Sequence, residues 1–287
     1  MKAKSMRENS MKYVFLISAL FSIVAIAIIC FYIFYRGVPA IFEIGLGNFL
    51  MGTKWSPSSG TFGIFSMIVG SLYATLGAVA IGVPTGIFAA VFLAEFCPQW
   101  LYRLIKPVVQ LLAGIPSVIY GFFGLVVIVP FIRTHIGGAG NSLLAAIIIL
   151  AIMILPTIIS ISEAALRAVP RLYYEGGLAL GENHTGSVFR LVLPAAKSGV
   201  VTSVILGIGR AVGETMAVIL VAGNTTLVPT ALTDSIRTMT AGIAMEMSYA
   251  SGLHQQALFG IGVVLFVFII LLNVALNFVK RKAGDGS

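Results

Sequence analysis

Residues Leu143 to Ser162 read LLAAIIILAIMILPTIISIS, twenty positions without a charged side chain. At about 1.5 Å per residue a helix of this length matches a bilayer hydrocarbon core of about 30 Å, where a spanning helix satisfies its own backbone hydrogen bonds. Five further apolar runs flank it: Tyr13 to Tyr35, Ile64 to Leu93, Val108 to Phe131, Val200 to Ala222 and Leu258 to Val279. The chain reads as an all-α, polytopic membrane protein with six transmembrane helices. Its 287 residues are 59% apolar and 10% charged, against roughly 45–50% and about 25% in soluble domains, which excludes an ordinary soluble enzyme.

The run Ile64 to Leu93 exceeds one span and contains Pro84, so it is expected to tilt, kink or break there; Pro116, Pro130 and Pro156 imply similar bends. Orientation follows from the basic residues. With the N-terminus inside, the inside segments hold 13 Lys and Arg and the outside segments hold 4, with Arg210 left over within the fifth run. Both termini are therefore expected in the cytoplasm. The first run is too long for a signal peptide and no cleavage site follows it. A net charge of +8 comes without a basic patch interleaved with aromatics, so no nucleic-acid partner is expected. Cys30 and Cys97 are spaced for neither zinc nor redox chemistry.

The longest inside loop, Glu163 to Gly199, contains Tyr173-Tyr174-Glu175-Gly176-Gly177-Leu178-Ala179-Leu180-Gly181 and, further on, Leu191-Val192-Leu193-Pro194. A short helix, a turn at Gly181 and a second short helix stopped before Pro194 would make a knob for a partner's groove. Two helical glycines cost about 1 kcal/mol each relative to alanine, so the first helix is expected to order on docking. This loop resembles the cytoplasmic Glu-Ala-Ala loop of bacterial ABC importer permeases. Glu175, Gly181, Leu193 and Pro194 fit its pattern, with Leu191 at an Ile position and Gly176 and Gly177 in place of the alanines. The resemblance implies a type I ABC importer permease fold over residues 1–287 as one transmembrane domain, with a core permease region at 63–279 and a coupling loop at 163–199. It makes Glu175, Gly176, Gly177, Gly181, Leu193 and Pro194 the contact with an ATPase subunit. The chain itself is not expected to be an enzyme: its nearest approach to a P-loop is Lys197-Ser198, and Ala196 holds the required glycine position.

The fifth run contains Gly207-Ile208-Gly209-Arg210-Ala211-Val212-Gly213-Glu214-Thr215-Met216. On a helix Arg210 and Glu214, four apart, share a face. A charge at membrane depth costs upward of about 2.5 kcal/mol and marks a polar interior by default. Arginine suits a tetrahedral oxyanion, Glu214 would hold it when the site is empty, and the glycines leave room for a ligand or a neighbouring helix. A purely structural ion pair remains the competing reading. Together with Gly114-Ile115-Pro116-Ser117-Val118-Ile119-Tyr120-Gly121 and Trp55-x-Pro57, this run resembles the PstC permease family of the bacterial high-affinity phosphate importer; the Glu-Thr-Met-Ala-Val continuation favours it over the sister PstA family. The resemblance covers Tyr13 to Val279. It implies Arg210, Glu214 and Thr215 in phosphate translocation, with no metal or cofactor in this chain and ATP and Mg on the partner ATPase. It also implies heterodimerisation with a PstA-like permease, a PstB-like ATPase dimer and an extracytoplasmic PstS-like binding protein, in the lipid of the bacterial inner membrane.

Asn224, Thr225 and Thr226 are candidates for the outer end of a path. His135, His184 and His254 read as separate loop residues with no metal cluster, and Glu246 and Asp234 as outer-loop residues open to a binding protein. One rival keeps the machine and changes the cargo to sulfate, molybdate or tungstate. Another is an ion-driven carrier with Glu214 as proton relay, and a third is a non-transporting sensor.

Overall fold

The structure is a computed structural model that describes the backbone of residues 2–284 and the side chains of 11–276 and 278. Its first helix, α1 (Lys2–Ile44), leads into a short α2 (Leu46–Met51) and a two-stranded hairpin, β1 (Trp55–Ser56) and β2 (Thr61–Phe62). Then come α3 (Phe65–Val91), α4 (Gln99–Gly114), α5 (Ser117–Phe123) and α6 (Val129–His135). The remainder is α7 (Leu143–Arg167), α8 (Arg171–Ala179), α9 (His184–Ser187), α10 (Leu193–Ala195), α11 (Lys197–Gly213), α12 (Met216–Val221), α13 (Met239–Glu246) and α14 (Gly252–Gly284). Short π-helical turns at 92–96, 124–128 and 188–192 continue α3, α5 and α9 without a break in direction.

Among the described residues five helices are long and apolar enough to cross a membrane: Met11–Ile44, Phe65–Phe96, Ser117–His135, Leu143–Arg167 and Gly252–Leu276. Lys197–Gly213 reaches that length only when joined across a 69° bend to His184–Ala195; since the latter belongs to the helix pair α8–α10, the sixth crossing is α11, continued by α12. α7 is the central helix. Its isoleucines 147, 154 and 158 lie where a methyl on Gly77, Gly82 or Gly86 of α3 would stand, so the two helices run parallel at close range. Small residues let membrane helices gain van der Waals contact that lipid cannot supply. α11 packs antiparallel on the other side, Gly199 against Ala165 and Gly207 against Ile158. α1 and α14 form an outlying antiparallel pair that crosses where Gly37 meets the backbone of Phe259. Among the described side chains of α1, those from Met11 to Phe31 are mostly exposed, Phe21 and Phe31 at least 70%, as a lipid-facing or subunit-facing helix would be.

Several boundaries differ from the hydropathy reading. α3 runs through Pro84 and α7 through Pro156 without a break. The run Val108 to Phe131 is not one helix: Ile115 and Pro116 are extended, and the crossing begins only at Ser117. α4 before it has a single apolar side buried on α7, through Tyr102, Ile105 and Val109, and a second side exposed. The run Val200 to Ala222 also divides, because Glu214 is extended with φ −72° and ψ 130°. The last helix begins at Gly252, six positions before the expected Leu258.

Candidate functional site

Three polar constellations lie on this frame. The first surrounds Arg210, in the last turn of α11. Its guanidinium donates to the Thr157 hydroxyl of α7 at 3.2 Å. Among the described residues no carboxylate lies within ion-pair distance of it. The expected Arg210–Glu214 pair is therefore absent, and the reason is the helix end at Gly213, which takes Glu214 off the Arg210 face. Glu214 turns to the next helix instead: its carboxylate accepts from the Ala217 backbone N–H at 3.0 Å and satisfies a free donor in the first turn of α12. Its carbonyl accepts from the Thr240 hydroxyl of α13 at 2.9 Å. Thr215 donates to the Gly213 carbonyl at 3.3 Å. Around Arg210 the surface is open. A methyl on Gly209 or Gly213 would meet nothing within 4 Å, and Leu206, one turn back on the same face, is 49% exposed. Among the described residues, then, Gly209-x-x-x-Gly213 packs against nothing.

The neighbouring break at Ile115–Pro116 carries its own polar closure: the Leu112 carbonyl at the end of α4 accepts from the Ile115 N–H at 3.3 Å and from the Tyr120 hydroxyl at 2.7 Å. Gly121 lies against Ala217, so the half-helices after the two breaks, α5 and α12, cross each other.

The second constellation is the helix pair α8 to α10, at the end where α7 stops and α11 starts. Gly181 has φ +91°, a turn that favours glycine. Gly177 faces Ser187 and Leu191, where a side chain would not fit beside the second helix, while Gly176 has open space. α8, expected to order on docking, is a complete helix here, and of its two glycines Gly177 allows the close approach of the second helix. The second helix does not stop before Pro194, because the π-turn 188–192 leads into α10, Leu193–Ala195, which contains it. Glu175 is exposed, and Leu172, Tyr173 and Leu180 stand bare beside it, with Leu180 88% exposed. Glu182 and Arg190 tie the turn at 2.7 Å.

Sequence reasoning placed Glu163 in this loop, but it is a buried residue of α7. It accepts from Tyr102 at 2.8 Å and Arg167 at 2.8 Å and pairs with Lys106, while Arg167 also reaches the Leu93 carbonyl at 2.9 Å. α3, α4 and α7 are thus tied at one end. The third constellation ties the other end. Buried Glu246 accepts from Trp55 at 2.9 Å and Arg237 at 2.5 Å, and His254 lies 2.8 Å from it. Glu246 and His254 are therefore structural partners across α13 and α14, not loose outer residues; His184 begins α9 and His135 ends α6. Asp234 stays exposed, and the Thr230 and Ala231 backbone donors hold its carboxyl below the usual carboxylate range. Asn224 and Thr225 are engaged locally, with the Ile219 carbonyl and with Ser235.

Six crossings about a central glycine-lined pair, with a paired-helix projection between the fourth and fifth, define a permease of the type I ABC importer fold. The chain belongs to the binding-protein-dependent transport system inner membrane component family, whose model matches residues 82–284. It is 38% identical over 271 residues to the probable ABC transporter permease protein YqgH of Bacillus subtilis, covering 92% of this chain and 88% of that one. It is 35% identical over 255 residues to the phosphate transport system permease protein PstC of Pasteurella multocida, covering 82% and 80%. A solved bacterial ABC transporter involved in the import of alginate shares its fold with a TM-score of 0.63 at 15% identity, over 92% of this chain and 95% of that one.

Proposed function

We propose that this chain is the membrane-spanning permease subunit of an ATP-driven importer of inorganic phosphate. The observation that carries the reading is Arg210: a guanidinium at membrane depth, without a carboxylate partner among the described residues, beside an open glycine face. An unpaired cation in an apolar bundle favours an anion in transit, and a guanidinium matches tetrahedral oxyanions with paired donors. Similarity to PstC proteins supports phosphate as that anion. The basic residues support the orientation, 13 on the side of both termini and of α8–α10 against 4 on the hairpin side.

In this scheme a PstA-like permease supplies the other half of the path and faces the open side of α11. A PstB-like ATPase pair, which holds the ATP and Mg, docks on the cytoplasmic α8–α10 projection; Glu175 and the turn at Gly181 contact its groove, with Gly176, Gly177, Leu193 and Pro194 shaping the pair. A PstS-like protein delivers phosphate at the hairpin side. Nucleotide binding draws the ATPases together, the projections follow, and the permeases open outward to receive the anion; hydrolysis resets them. The chain makes and breaks no covalent bond. Glu214 and Thr215 act by holding the start of α12 in place beside the path.

Uptake of radiolabelled phosphate into proteoliposomes holding the four components tests this, with and without internal ATP and with sulfate and molybdate as competitors. ATP-dependent, phosphate-selective accumulation that Arg210→Ala abolishes is the expected result. Full uptake by Arg210→Ala would remove the site assignment, and flux driven by a proton gradient alone would remove the ABC mechanism.

A further inference from the structure

Arg210 supplies one polar contact to an anion; the geometry points to a second. We infer that Thr157 is a direct contact of the transported oxyanion, its hydroxyl accepting from Arg210 and donating to an anion oxygen. The inference rests on the reading of Arg210 given above.

A hydroxyl has one hydrogen to donate and two lone pairs. In membrane helices threonine usually gives that hydrogen to a carbonyl of its own preceding turn. Three threonines of this chain do so: Thr85 to the Ile81 carbonyl at 2.5 Å, Thr134 to Pro130 at 2.9 Å and Thr202 to Ser198 at 2.7 Å. Thr157 does not. Among the described residues its hydroxyl has a single partner, the Arg210 guanidinium at 3.2 Å, toward which it is the acceptor. Its hydrogen is uncommitted, beside a cation that has no carboxylate.

The surroundings give the hydroxyl no other task. Ile154 and Ile158, the neighbours of Thr157 along α7, are fully buried and pack on Gly82, Gly86 and Gly207. A second polar link between α7 and α11, Ser162 to Ser203 at 2.7 Å with both residues buried, holds the two helices together independently of Thr157. Valine would fill the same volume at 157 with no hydroxyl to desolvate. An anion on the open side of Arg210 meets two guanidinium donors and the free Thr157 hydrogen. The hydroxyl then orders the guanidinium and completes the donor set at once.

Valine keeps the shape of threonine and serine keeps its hydroxyl, so the two substitutions separate packing from hydrogen bonding. Phosphate uptake per assembled complex is measured in proteoliposomes with the sister permease, ATPase and binding protein, for Thr157→Val, Thr157→Ser, Arg210→Ala and the Thr157→Val/Arg210→Ala double variant. A hydrogen bond to a charged group makes the expected loss for Thr157→Val about tenfold or more. Thr157→Ser stays within about twofold of the parent, and the double variant is no slower than Arg210→Ala, since the two side chains serve one ligand. If the valine chain does not assemble, Thr157→Cys, with its weaker donor, carries the same comparison. Normal uptake by Thr157→Val beside an inactive Arg210→Ala overturns the Thr157 contact and spares the Arg210 site. Equal losses in the valine and serine variants also overturn it. Normal uptake by Arg210→Ala overturns the site reading, and this inference falls with it.

Discussion

α3 and α7 each carry a proline well inside the helix, Pro84 and Pro156, and each continues through it. The segments 99–135 and 197–221 are interrupted, the first at Ile115–Pro116 and the second at Glu214–Thr215, where there is no proline at all. Proline content therefore does not decide which membrane helix breaks. The difference lies in what holds each helix along its length and what takes up the freed backbone groups. α3 and α7 are locked by a row of glycines facing isoleucines, so a break would cost contacts along the whole row. At the two breaks no such row runs through the interruption, and polar side chains close the gap: Tyr120 on the Leu112 carbonyl, Glu214 on the Ala217 N–H and Thr240 on the Glu214 carbonyl. Irregular backbone at membrane depth persists where such groups are supplied, and these breaks adjoin the Arg210 surface.

The largest way to damage the locked pair is at its end, where Glu163 gathers Lys106, Arg167 and Tyr102 from α4 and α7 and, through Arg167, the end of α3. Glu163→Gln leaves two cations facing a neutral amide. Removing one partner of a buried ion pair costs about 3–5 kcal/mol, less here because the Arg167 side chain is 46% exposed. The expected outcome is loss of assembled complex at growth temperature, read by size-exclusion chromatography of the solubilised importer. Next in size is Gly82→Leu, which inserts a side chain where Ile154 and the Ala151 carbonyl stand. Overpacking costs about 1–3 kcal/mol, and thermal unfolding of the complex is expected to fall accordingly. An unchanged midpoint would mean that the two helices are not held by close packing.

These features differ in how far the sequence discloses them. Leu143 to Ser162 is legible because twenty uncharged residues have one stable form in lipid, and Gly181 is legible because a glycine between two short amphipathic runs marks a turn. The break at Glu214 is hidden in hydropathy, which sums apolar side chains and is blind to dihedral angles. Its signal was local: Gly213 suits a helix end, and Glu214-Thr215 supplies side-chain acceptors for a new start. Reading Arg210 and Glu214 by spacing alone put them on one face that does not exist. Thr157 lay in the apolar run that decided the fold, and its meaning appears only when α11 is laid against α7. The carboxylate centres were out of reach altogether, since Glu163 and Glu246 find partners 57 and 191 residues away.

A smaller effect separates cap from charge at the second break. Glu214→Ala removes the acceptor for the Ala217 N–H and should destabilise the start of α12 by about 1 kcal/mol, the usual worth of a cap. Glu214→Gln keeps an acceptor oxygen and should retain most of that stability. If transport in the glutamine variant falls as far as in the alanine variant, the negative charge itself acts on the anion, and capping is not its main task.

The smallest effect is expected at Pro84, where the sequence suggested a tilt, kink or break. Pro84→Ala restores an N–H to a helix that is already continuous, and alanine is the better helix former by about 3 kcal/mol in an ordinary helix interior. Most of that preference is unavailable here, because the geometry of α3 is set by α7 and because the Thr85 hydroxyl already serves the Ile81 and Gly82 carbonyls beside the proline. The midpoint of thermal unfolding should therefore move by no more than about 2 °C, and uptake should match the parent. A marked gain in stability with a loss of uptake would reverse the comparison: α3 would then be a helix that bends at Pro84 during the cycle, and the locked pair would belong to the moving parts.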